Sequence, residues 1–140
     1  MNLFTYGTLM APDIMKEVSG CMLVSVECTL SGYRRYTVRG EQYPGMIRES
    51  GGEVRGMLYL DVPPEAIARL DLFEGAMYSR EPVTVRHLKS FQPEEAMTYV
   101  IKPEYEYMLT HAAWDYEDFL ENGKRLFEER YCGFAAIEKS

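Results

Sequence analysis

Met46-Ile47-Arg48-Glu49-Ser50-Gly51-Gly52-Glu53-Val54-Arg55-Gly56-Met57-Leu58-Tyr59-Leu60 is the stretch on which the fold class turns. Met46-Ile47-Arg48 and the run from Val54 are β-prone, and Ser50-Gly51-Gly52 lies between them. Glycines between two such runs predict a hairpin with its turn at residues 50–52. Upstream, residues 22–38 have a strand-like pattern broken near Ser31-Gly32. Downstream, Pro63 and Pro64 open a helix carrying Ile67, Leu70 and Phe73, which Gly75 should end. Val83-Thr84-Val85 and Met97-Thr98-Tyr99-Val100-Ile101 predict two further strands, joined across residues 90–95.

The two ends of the chain add helices. Phe4-Thr5-Tyr6 is a short β-prone run that stops at Gly7. Pro12 suits a first helical turn, Ile14, Met15 and Val18 follow at helical spacing, and Gly20 suits a C-terminal cap. The opening therefore reads strand, tight turn, short helix. Near the other end, Trp114, Tyr116, Phe119, Leu120, Leu126, Phe127 and Tyr131 give a helical apolar pattern. Gly123 interrupts it, so one helix or two fit equally. Many strands with few, scattered helices predict an α+β domain with a largely antiparallel or mixed sheet curled into a barrel. A single domain over residues 1–140 is expected.

Composition narrows the partners. Of 140 residues, 22 are acidic and 15 basic, a formal net charge of -7, and 46% are hydrophobic. That apolar content excludes a disordered chain. A net negative domain gains nothing from releasing phosphate counterions, so nucleic acid is not an expected ligand. No apolar run reaches the roughly 18 residues of a membrane span. The opening MNLFTYGTLM lacks the basic start and apolar stretch of a signal peptide. Tyr33-Arg34-Arg35-Tyr36 reads as a solvated face. Cys21, Cys28 and Cys132 form no C-x-x-C pair, so they are expected to be reduced thiols in a cytoplasmic protein.

Several chemistries lack their motifs. His87 and His111 sit in no H-E-x-x-H pattern, so no metal site is expected. No G-x-S-x-G elbow, G-x-x-x-x-G-K-[ST] loop or G-x-G-x-x-G occurs. Two stretches remain. In Tyr6-Gly7-Thr8-Leu9, Gly7 lets the backbone turn without a Cβ clash. The amides of Thr8, Leu9 and Met10 then lie near a helix start, suited to a carboxylate or a developing oxyanion. An ordinary strand-to-helix turn has the same appearance.

The second stretch is Leu70-Asp71-Leu72-Phe73-Glu74-Gly75-Ala76-Met77-Tyr78-Ser79-Arg80. Ile67, Leu70 and Glu74 fall at i, i+3 and i+7, on the stripe that faces the core. A glutamate at an apolar position is the anomaly, since buried carboxylates are rare unless paired or used. Burial and the negative helix end both raise its pKa, toward a group that takes and returns a proton. A salt bridge, for instance to Arg80, or a frayed helix end explains the spacing equally well.

Together the two stretches resemble the γ-glutamylcyclotransferase-like superfamily. The likeness is greatest to the branch of γ-glutamylamine cyclotransferases and plant avirulence-induced proteins. It is carried by Tyr6-Gly7-Thr8-Leu9 and by Leu70-Asp71-x-Phe73-Glu74-Gly75-x-x-Tyr78-x-Arg80. Tyr43-Pro44-Gly45, the strand holding Gly56, and residues 114–131 also fit. The resemblance implies a small mixed β-barrel and an intramolecular aminolysis of a small γ-glutamyl substrate, forming 5-oxoproline and a free amine. It implies Glu74 as general base and acid, the loop Tyr6, Gly7, Thr8 and Leu9 as holder of the glutamyl part, Tyr78 in the pocket, Arg80 as a structural partner of a carboxylate, and no cofactor. Branches directed at glutathione or free γ-glutamyl amino acids usually carry Ser-Asn where this chain has Thr8-Leu9, which favours a γ-glutamylamine or another small γ-glutamyl conjugate. A catalytically silent binding or regulatory domain of the same fold is the alternative. The oligomeric state is left open by the sequence.

Overall fold

In the computed structural model, residues 1–130 are described. The strands are β1 (Leu3–Thr5), β2 (Ser25–Val38), β3 (Pro44–Tyr59), β4 (Tyr78–His87), β5 (Pro93–Ile101) and β6 (Leu109–Ala113). The helices are α1 (Pro12–Ser19), α2 (Pro64–Glu74), α3 (Tyr116–Asp118) and α4 (Lys124–Arg130). In the sheet order β3-β1-β5-β4-β2-β6, the added pairing of β2 with β3 closes the first five strands into a barrel. The β1–β5 pair is parallel and the other pairs are antiparallel, so the barrel is mixed. Strand β6 extends the sheet beyond β2.

The expected hairpin at residues 50–52 does not form. Strand β3 runs through Ser50-Gly51-Gly52, and the turn lies instead at residues 39–43, between β2 and β3. Ser31 pairs with Glu53 but Tyr33 pairs with Arg48, so Gly32 alone faces residues 49–52. Gly51 takes a φ of 80°, the left-handed region that glycine enters without penalty. The glycines therefore make a bulge that bends the long β2–β3 ribbon. This bend lets two strands of fourteen and sixteen residues curl into a small barrel.

Alternation along the strands separates two cores. Phe4, Leu30, Met46, Val54, Leu58 and Val85 fill the barrel interior. Leu3, Tyr59, Tyr99 and Ile101 face outward and pack against α1 and α2. On α2 the predicted stripe is in place, with Ile67 and Leu70 buried. Gly75 ends the helix, its amide donating to the Asp71 carbonyl at 3.0 Å. The opening also follows expectation: β1, a 3-10 turn over Thr8–Met10, then α1 capped by left-handed Gly20.

The C-terminal pattern holds in part. Residues 116–130 are helical throughout the described region, with a π-helical turn at Phe119–Gly123 rather than a break. Phe119 and Phe127 are buried, while Leu120 and Leu126 are exposed by 39% and 46%. A π turn rotates the residues after it relative to a straight helix, so the simple period cannot place both leucines inward. Tyr131 and Cys132 lie outside the described residues.

Candidate functional site

One cavity of about 160 Å³ lies where the end of β1, the end of α2 and the start of β3 and β4 meet. Its lining includes Tyr6, Gly7, Thr8, Leu9, Glu74 and Tyr78, so all six residues singled out in the sequence share it. Thr5, Tyr43, Pro44, Phe73 and Phe127 complete the wall. Of these, Tyr43 and Pro44 are carried by the resemblance alone, and Phe73 and Phe127 both by the resemblance and as apolar positions on helical stripes.

Loop 6–9 is held from several sides. Its 3-10 turn uses the Met10 and Ala11 amides, which donate to the Gly7 and Thr8 carbonyls at 3.0 and 3.2 Å. Met10 is therefore occupied, contrary to the sequence reading, and the Thr8 and Leu9 amides are the ones left outside the turn's bonding. The Tyr59 hydroxyl donates to the Leu9 carbonyl at 2.8 Å, and the Tyr6 hydroxyl donates to the Tyr99 carbonyl. Gly7 abuts Pro44: a Cβ there would lie 2.7 Å from the proline Cδ. Only glycine permits that approach of loop to wall.

Two carboxylates sit one turn apart on α2. Asp71 accepts from Arg80 Nε at 3.0 Å and Nη2 at 3.3 Å, and from the Tyr99 hydroxyl at 2.6 Å. Partial burial pushes its pKa up, but the bonds from Arg80 and Tyr99 outweigh this and hold it below the ordinary value. Arg80 thus has the structural carboxylate partner expected for it, and that partner is Asp71, not Glu74. Among the described residues Glu74 makes no hydrogen bond or ion pair. Burial of its carboxyl group, with the negative charge of Asp71 added, raises its pKa to about 8. Such a group is poised to accept and return a proton near neutrality.

Tyr78 is buried, and its hydroxyl donates to the Pro44 carbonyl at 2.7 Å. It joins the β4 and β3 sides of the cavity. The Tyr6 phenol is held protonated: burial first, then the charge of Glu74, drives its pKa well up against the opposing pull of Arg35.

Arg35 departs from the solvated face expected for Tyr33-Arg34-Arg35-Tyr36. Arg34 is exposed and pairs with Glu49, but Tyr33 is buried in the barrel. Arg35 reaches inward behind the loop and donates to the Tyr6 carbonyl at 2.6 Å. The signal was the two-residue period, which puts Arg35 on the face of buried Tyr33. Among the described residues no group of three or more His, Cys, Asp or Glu side chains is arranged to hold a metal ion. No described helix is long and apolar enough to cross a membrane.

The family model "Gamma-glutamyl cyclotransferase, AIG2-like" matches residues 3–121. AIG2-like protein C of Arabidopsis thaliana is 28% identical over 126 residues, spanning 90% of this chain and 73% of that protein. The solution structure of an Arabidopsis thaliana protein superposes with a TM-score of 0.71 at 25% identity, covering 99% of this chain and 93% of the other. A structure named as a gamma-glutamyl cyclotransferase has a TM-score of 0.62 at 13% identity, covering 98% and 85%, a likeness of fold. A closed mixed barrel with flanking helices, matched by these neighbours, defines the gamma-glutamyl cyclotransferase-like fold. The chain belongs to the Gamma-glutamyl cyclotransferase, AIG2-like family. That membership supports a gamma-glutamyl cyclotransferase-like function.

Proposed function

We propose that this protein is an enzyme that converts a small γ-glutamyl conjugate, in the first instance a γ-glutamylamine, into 5-oxoproline and free amine. The observation that carries the reading is Glu74. Its carboxyl group has no partner among the described residues, is pushed up to about 8 by burial and the charge of Asp71, and shares a small cavity with loop 6–9. At about 160 Å³ the cavity is smaller than the roughly 300–1,000 Å³ of sites for drug-sized ligands, which suits an amino-acid-sized substrate.

In this reading the substrate's α-ammonium loses a proton to the Glu74 carboxylate. The freed nitrogen attacks the γ-carbonyl carbon of the same molecule, and a C–N bond closes the five-membered ring. Negative charge grows on the carbonyl oxygen, where backbone donors of loop 6–9 stabilise it. Protonated Glu74 then delivers its proton to the leaving nitrogen, and the original amide C–N bond breaks. The ring nitrogen gives up its second proton to the released amine, which departs as ammonium, and Glu74 is left as the carboxylate it was at the start. Tyr6, Gly7, Thr8 and Leu9 hold the glutamyl part, and Tyr78 packs against it. The nucleophile is tethered to its electrophile, so positioning supplies much of the acceleration and no cofactor is required. Thr8-Leu9, in place of Ser-Asn, favours the γ-glutamylamine among the γ-glutamyl substrates.

The test is incubation of the purified protein with γ-glutamyl amino acids, amines and ε-lysine conjugates, with 5-oxoproline followed by mass spectrometry. Product from a γ-glutamylamine, absent with Glu74→Gln, is expected. Binding of 5-oxoproline with no turnover of any panel member contradicts the reading and leaves a binding domain.

A further inference from the structure

We propose that Arg35 is a positioning residue of the cavity: it charges loop 6–9 from behind, through the Tyr6–Gly7 peptide, and so selects ligands that carry a carboxylate. The inference rests on the reading of the cavity just given and adds to it the source of the anion preference.

Arg35 joins the two ends of the described chain at this site. Its Nη1 donates to the Tyr6 carbonyl at 2.6 Å and to the Arg55 carbonyl at 3.0 Å, and lies 3.7 Å from the Met10 sulfur. Its guanidinium lies 5.2 Å from the centroid of the Trp114 ring. The indole N–H of Trp114 donates in turn to the Gln42 carbonyl at 2.8 Å. The arginine is therefore fixed between loop 6–9, β3 and the segment before α3.

Two consequences follow. First, the Tyr6 carbonyl and the Gly7 amide belong to one planar, delocalised peptide. A cation hydrogen-bonded to the oxygen draws electron density from the nitrogen and strengthens the amide as a donor, as cooperative hydrogen-bond chains do. Gly7 is part of the cavity lining. Second, the charge of Arg35 is not cancelled locally. Its contacts are two carbonyls, a sulfur and an aromatic face, and among the described residues no carboxylate is ion-paired with it. Burial depresses its pKa, and Asp115 opposes that from a distance. The one charged side chain among the described lining residues is Glu74, which is protonated below about 8. A substrate carboxylate then meets the Arg35 charge behind the loop with no ionised carboxylate among the described residues of the cavity wall itself. A γ-glutamyl compound carries such a group on its α-carbon, and 5-oxoproline retains it.

The experiment is calorimetric titration near pH 6.5 with 5-oxoproline and with its carboxamide, for wild type, Arg35→Met and Arg35→Lys. The wild type is expected to bind the carboxylate at least about tenfold more tightly, the scale of one charge-assisted hydrogen bond. In Arg35→Met the preference should fall to about one while affinity for the carboxamide stays nearly unchanged, and Arg35→Lys should restore part of it. Where Arg35→Met does not fold, Arg35→Gln gives the same comparison. A loss of affinity equal for both ligands assigns Arg35 a purely structural role and overturns the inference, as does a wild type that binds both equally. If the wild type binds neither, the reading of the cavity fails and takes the inference with it.

Discussion

Asp71 and Glu74 lie on the same helix, one turn apart, and the protein treats them in opposite ways. Asp71 meets Arg80 and Tyr99 and is held ionised. Glu74 opens on the cavity with no partner among the described residues, and burial lifts it to about 8. The difference shows how one ion pair serves the other carboxylate. Arg80 is the cation that an unpaired glutamate would otherwise attract, and Asp71 binds it. The charge of Asp71 then adds to the pressure on Glu74 to stay protonated. Two carboxylates whose environments drive their pKa values apart are the pattern that assigns acid and base roles.

The largest effect that sharpens this contrast is on turnover. With 5-oxoproline release as the assay, Glu74→Gln should lower kcat by about 10² to 10⁴, the usual contribution of a general acid and base. Asp71→Asn should lower it far less. Equal losses in the two variants would erase the distinction.

Stability against pH gives the next contrast, and the two variants should move in opposite directions. Glu74 has a folded pKa of about 8 against an ordinary 4.5. Its contribution is harmless below 4.5, and stability is lost as pH rises through 8. Glu74→Gln should therefore be more stable than wild type above pH 8, by about 3 kcal/mol once solvent in the cavity is allowed for, and the gain should vanish near pH 4. Asp71 is depressed below 3.8, so its contribution is present above that value and is lost as pH falls through the folded pKa. Asp71→Asn should cost about 1 to 2 kcal/mol at neutral pH, a figure reduced for its 41% exposed side chain, and less in acid. Denaturant melts across the pH range check both signs.

A smaller effect links the two groups. Removing the Asp71 charge should lower the pKa of Glu74, so the rising limb of kcat/KM against pH should move to lower pH in Asp71→Asn. A limb that stays in place would show that burial alone sets Glu74. Smallest is Tyr78→Phe, which removes the bond from the hydroxyl to the Pro44 carbonyl. It should cost about 1 kcal/mol of stability and leave the pH limb unmoved, since burial and the charge of Asp71 are what raise Glu74.

Some of this was written plainly in the chain. A glutamate at i+7 from Ile67, on an apolar stripe that Gly75 ends, was visible from spacing, and it lies in the cavity. Strand, turn and helix at the start followed from Gly7, Pro12 and Gly20. The glycines at 51 and 52 misled because a tight turn and a bulge ask for the same residues. Only the pairing of β2 across the gap, from Ser31–Glu53 to Tyr33–Arg48, decides between them. The partner of Arg80 was equally hidden: both carboxylates are on the same side of α2, and the choice depends on where β4 and the Tyr99 hydroxyl sit. Arg35 is legible through its alternation with Tyr33, but two adjacent arginines in a strand-like stretch read first as a solvated face, since arginine is mostly exposed.

The most direct measurement is the ionisation of Glu74 itself, followed by NMR of carboxyl-labelled glutamate in the ligand-free protein, with the resonance assigned by its loss in Glu74→Gln. A midpoint near 8 is predicted. A midpoint near the ordinary 4.5 would mean an open, charged carboxylate and would contradict the account of Glu74 as the acid and base of this site.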